Sequence, residues 1–110
     1  MEPKRPANPD SPVRSRYADD PAMRAIVARF ASALPERSER LRQALVETDL
    51  DALNALAHQL KGTAGGYGFD SISTAAADLE RETLSLEADL AMVRERVEDI
   101  TILCTAASRT

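Results

Sequence analysis

At 110 residues the chain has the length of one domain, with little left over for a second. A net charge of −4 argues against a nucleic-acid binder, which would present a basic face, and no apolar run approaches the ~20 residues that cross a bilayer. The lone Cys104 allows no internal disulfide and the first residues lack the apolar stretch of a secretory signal, so a soluble cytoplasmic protein is expected.

Hydrophobic residues make up 44% of the chain but aromatics only 4%, and the apolar positions are mostly Ala, Leu, Ile and Val. Such a composition favours helices. Residues 1–19 carry Pro3, Pro6, Pro9 and Pro12 among polar residues and are expected to form a disordered arm; residues 20–110 are expected to form the folded domain. Asp20-Pro21 reads as an N-cap followed by proline at the first helical position, opening a short helix with Ile26, Val27, Phe30 and Leu34 on its face. Pro35 either kinks this helix or opens the next, which carries Leu41, Leu45 and Val46.

Asp49 is the expected cap of a further helix with Leu50, Leu53, Ala57, Leu60 and Ala64 along one face, ended by Gly66-Tyr67-Gly68. Asp70 is the expected cap of the next, whose face is Ile72, Ala76, Leu79, Thr83 and Leu86. A last helix follows through Leu86, Leu90, Val93, Val97, Ile100 and Cys104, with no Gly or Pro between Ser85 and Ala91 to mark the boundary. The expectation is an all-α fold: an antiparallel up-and-down four-helix bundle with a short additional N-terminal helix. A complete four-helix core favours a monomer.

Chemistry concentrates in one stretch. His58, the only histidine, stands just ahead of all four glycines, Gly62, Gly65, Gly66 and Gly68. Helical geometry turns His58 well away from the Leu53–Ala57–Leu60 stripe and places Gly62 almost opposite it, with Asn54, Lys61 and Gly65 on the same outer side as His58. His58 is therefore expected to be exposed. Each interior glycine costs a helix about 0.5–1 kcal/mol relative to alanine, so Gly62 and Gly65 call for a reason beyond folding. Bare backbone beside an exposed imidazole suits the close approach of a large partner. Gly66 and Gly68 are accounted for by the helix end.

The run Ala57-His58-Gln59-Leu60-Lys61-Gly62, with Ala64 and Gly68 before the next helix, resembles the histidine-containing phosphotransfer (HPt) domain of two-component phosphorelays. The motif is His-x-Leu-Lys-Gly with a second glycine six residues after the first, and the resemblance covers residues from about 20 to 108. It implies that His58 accepts a phosphoryl group through Nε2 and that Lys61 offers its ammonium to the phosphoryl oxygens. An exposed imidazole in its neutral form keeps a lone pair available for attack. Gly62, and with it Gly65, would leave room for the partner's loops, and Asn54 is expected to be a further binding residue on that side. Glu80 matches the family position that orients the imidazole from the facing helix, while Leu84 stands where some members carry a second cation.

The partners implied are receiver domains, one in a hybrid sensor histidine kinase and one in a response regulator. The chain would need no cofactor of its own, since the receiver supplies the aspartyl phosphate and Mg²⁺. One His and one Cys far apart make no metal site, and the glycine run lacks the Gly-x-x-x-x-Gly-Lys-Ser/Thr nucleotide signature. The expected role is thus a phosphocarrier rather than an enzyme. Two alternatives use the same residues: a module that binds receivers without carrying phosphate, and the phosphoacceptor module of a kinase whose ATP domain lies on another chain.

Overall fold

A computed structural model describes residues 13–108, and every regular element among them is a helix. In chain order these are α1 (Arg24–Ser32), α2 (Leu34–Val46), α3 (Leu50–Gly66), α4 (Asp70–Leu84) and α5 (Leu90–Ser108). Short connections favour an antiparallel course for successive helices from α2 to α5. α2 and α4 each touch both α3 and α5, which closes a four-helix ring, and the short α1 lies against α5 and α2. The expected bundle with a short leading helix is what the structure shows.

Local chemistry explains most of the boundaries. Pro35 opens α2 rather than kinking a longer helix, since α2 begins at Leu34 and carries the proline in its first turn. Asp49 caps α3, its carboxylate accepting from the Ala52 amide at 3.0 Å. At the other end of α3 the Phe69 amide donates to the Ala64 carbonyl at 2.8 Å and the Gly68 amide to the Gly65 carbonyl at 3.1 Å. With Gly68 at φ +85°, this is a Schellman closure, and the left-handed position is the one that favours glycine. Leu53, Leu60, Ile72, Leu79, Val97 and Ile100 are buried in the shared core. α3 and α4 pair most extensively, and small buried residues on both (Ala57 and Ala64, Ala75 and Ala76) let their axes approach.

Several expectations need correction. The arm was expected to reach residue 19, but Val13 and Ser15 are buried and residues 13–19 lie against the α3–α4 corner. The Ser15 hydroxyl donates to the Tyr67 carbonyl at 2.6 Å, the Arg16 amide to the Gly68 carbonyl at 2.8 Å, and the Arg16 guanidinium pairs with Asp70 at 2.7 Å. Two backbone carbonyls freed by the turn thus find donors in this segment, which composition alone did not reveal. Residues 1–12 of the expected arm lie outside the described residues. Asp20 does hold a turn, accepting from the Ala22 amide at 2.9 Å, but α1 begins only at Arg24.

Asp70 is not the cap of α4. Phe69 occupies that position, and Asp70 is the first helical residue with its carboxylate turned to Arg16. Its charge still sits at the positive end of the helix dipole. Ile26, expected on the core face of α1, is 48% exposed and lines a groove with Phe30 and Tyr67, whose rings stack at 4.7 Å. Val46, the last residue of α2, is exposed, and so are Leu86 and Leu90, because α4 stops at Leu84 and residues 85–89 form a loop before α5. Among the described residues no helix is long and apolar enough to cross a membrane.

Candidate functional site

His58 stands near the middle of α3 with 68% of its side chain exposed. Its Nδ1 lies 2.7 Å from Oε2 of Glu80 on α4, and the other carboxylate oxygen, Oε1, accepts from the Lys61 ammonium at 2.7 Å. One carboxylate thus bridges two residues that lie three positions apart on the neighbouring helix. Glu80 can reach both because the close pairing of α3 and α4 sets it on the seam, where its side chain is only 17% exposed.

The electrostatics assign the proton. Hydrogen bonding from Lys61 first, and from His58 second, holds the Glu80 carboxyl below its ordinary range, outweighing the opposing effect of burial. An ionised carboxylate can only accept, so Nδ1 of His58 carries the proton and donates. In the neutral ring Nε2 is then the nitrogen with a free lone pair. A neutral imidazole with a defined tautomer, exposed at the surface, is chemically a nucleophile waiting for an electrophile.

Lys61 lies where helical spacing put it, but its ammonium is engaged with Glu80. An ammonium has three N–H donors, so two remain for another anion. Gly62 is exposed, and a Cβ built there would meet nothing within 4 Å. The surface beside His58 is therefore bare without being crowded.

Gly65 and Asn54 have different surroundings from those expected. A Cβ on Gly65 would lie 3.2 Å from Ser73 Oγ, so this glycine makes room for α4 and not for open surface. Asn54 was expected to face outward, yet it is half-buried and its amide is turned to α4. There it donates to the Glu80 carbonyl at 3.2 Å and to Thr83 Oγ1 at 3.0 Å. Sequence reasoning missed Thr83 and Ser73 as neighbours of the site. A signal existed for Thr83, a hydroxyl on the otherwise apolar Ile72–Ala76–Leu79 stripe.

Other reactive groups stand apart from this cluster. Burial pushes the Cys104 thiol up, against smaller opposing effects of Ser38 and Arg37, which leaves it a poor nucleophile. Among the described residues no group of three or more His, Cys, Asp or Glu side chains is placed to hold a metal ion.

The family model described as the Hpt domain matches residues 25–110. No curated protein and no solved structure matches the chain.

Proposed function

Given that the chain belongs to the Hpt domain family, we propose that it is a phosphorelay intermediate whose carrier residue is His58. Hpt domains are phosphocarrier modules that work with receiver domains in phosphorelays. In this reading a phospho-aspartate on the receiver domain of a hybrid sensor kinase is the donor, and the aspartate of a response regulator is the acceptor. The chain acts as a monomer in the cytoplasm, without an ATP site or a metal of its own. Mg²⁺ belongs to the receiver.

The observation that carries the proposal is the pairing of an exposed His58 with an ionised Glu80 on Nδ1. Nε2 attacks the phosphorus of the aspartyl phosphate in line. The P–N bond forms as the P–O bond to the aspartate breaks, and the aspartate leaves as a carboxylate. The ring keeps its Nδ1 proton and gains positive charge, which Glu80 offsets. Lys61 turns its remaining N–H donors to the phosphoryl oxygens. Nothing is consumed, so the reverse transfer to a second receiver follows the same path. Gly62, open to solvent, admits the receiver's loops.

The test is transfer from a panel of purified, phosphorylated receiver domains to the wild type and to His58→Gln, with a parallel incubation in ATP and a separate kinase domain. Acid-labile, alkali-stable label should appear on the wild type and be lost in His58→Gln. Label on the variant would refute His58 as the carrier. Binding of receivers without label would make the chain a receiver-binding module. Label only from ATP and a kinase domain would make it that kinase's phosphoacceptor.

A further inference from the structure

The site is braced from below by a group that has no direct contact with the imidazole. Asn54 lies one helical turn before His58 on the same side of α3. Its amide donates to the main-chain carbonyl of Glu80 at 3.2 Å and to Thr83 Oγ1 at 3.0 Å, while the Thr83 hydroxyl donates to that same carbonyl at 2.8 Å. The directions close without conflict. Thr83 spends its one proton on the carbonyl and offers a lone pair to Asn54, and the two amide protons of Asn54 go to two acceptors.

On the far side of His58 a second cross-link has the same form. The Ser73 hydroxyl on α4 donates to the main-chain carbonyl of Lys61 at 2.8 Å. Each cross-link grips the backbone of a residue that meets at the site, Glu80 in one case and Lys61 in the other. Packing does not require this. Thr83 continues the apolar stripe of α4, and a valine of nearly the same shape would fill that place without a hydroxyl to satisfy. The polar pair costs desolvation that a purely structural contact would avoid.

We propose that Asn54 and Thr83 are positioning residues: together they clamp the Glu80 main chain at the height from which its carboxylate holds His58 in the Nδ1–H tautomer. The Glu80 side chain has two methylenes of freedom, so a contact of 2.7 Å to Nδ1 depends on where its backbone stands. Released from the clamp, α4 can shift along α3 enough to lengthen that contact. The imidazole then populates the Nε2–H tautomer, whose outward nitrogen has no lone pair for attack. The consequence for phosphoryl transfer rests on the carrier reading above; the tautomer itself does not.

His58 is the only histidine, so its ring nitrogens are identified without assignment work. The experiment records ¹⁵N imidazole spectra of the unphosphorylated protein with the ring in its neutral form. It compares the wild type with Asn54→Ala, Thr83→Val, the double variant and Thr83→Ser, and checks each fold by helical circular dichroism. The wild type should be mainly Nδ1–H. Asn54→Ala and Thr83→Val should each lower the Nδ1–H to Nε2–H ratio about two- to tenfold, a change of the size that one neutral hydrogen bond is worth. The double variant should fall no further than the lower single one, because the pair acts as a unit. Thr83→Ser, which keeps the hydroxyl, should match the wild type.

An unchanged ratio in folded Asn54→Ala and Thr83→Val would overturn the clamp, as would a Thr83→Ser spectrum like that of Thr83→Val. If the ratio moves as expected while no receiver labels the wild type, the clamp stands and the carrier reading fails.

Discussion

Gly62 and Gly68 are six residues apart in one glycine-rich run, yet they are glycine for opposite reasons. Gly62 faces open space, where an added Cβ would touch nothing within 4 Å. Gly68 has φ +85°, and an added Cβ would lie 2.6 Å from Ser15 Oγ and 3.0 Å from the Arg16 amide nitrogen. The corner glycine is required by the molecule itself, by a turn and by the segment that crosses it. The surface glycine satisfies no contact in the chain and weakens its helix. What it leaves open is space outside the chain, which in the proposed function is the room a receiver domain needs.

The sharpest way to break that comparison is to give both positions a methyl group. Gly68→Ala should lose about 2–3 kcal/mol of unfolding free energy in a denaturant titration, from the left-handed backbone and the displaced strap. A loss under about 0.5 kcal/mol, the scale of an ordinary surface substitution, would mean that the corner is not the joint described.

Gly62→Ala should act in the other direction. With nothing to strike, the alanine should stabilise α3 by about 0.5–1 kcal/mol. Transfer from a phosphorylated receiver should nevertheless slow, since in the proposed function the methyl stands where the receiver approaches. A more stable variant with undiminished transfer would remove the case for Gly62 as an approach surface.

The smallest effect concerns acid. Because the folded protein holds the Glu80 carboxyl below its ordinary value of 4.5, its contribution to stability is full above that pH. It is lost as pH falls through the lowered value. The stability gap between wild type and Glu80→Gln should therefore narrow on acidification below pH 4.5, whereas the gap between wild type and Gly68→Ala should not. Parallel behaviour of the two gaps would show that the site's ion pairs contribute nothing to holding α3 against α4.

Much of this protein was legible before any coordinates. Leu53, Ala57, Leu60 and Ala64 announced the buried face of α3, and the same periodicity exposed His58. Asp49 and the Gly66–Gly68 turn marked both ends of that helix. Where local signals failed, a competing contact had taken the residue. Asp70 went to Arg16 and not to its own helix end, and the 13–19 segment found acceptors at Tyr67 and Gly68 that a proline-rich composition did not suggest.

The sequence by itself determined the helices, their order, the exposure of His58 and the family motif around it. Those properties depend on residues within a turn or two of one another, where the 3.6-residue period and the caps act directly. Only the tertiary structure decided that one carboxylate bridges His58 and Lys61, that Asn54 turns inward to grip Glu80, and that Gly65 and Gly68 are filled while Gly62 is bare. Which atom of α4 stands opposite which atom of α3 depends on the offset and angle of two packed axes. The whole core sets these at once, and no single segment carries that information.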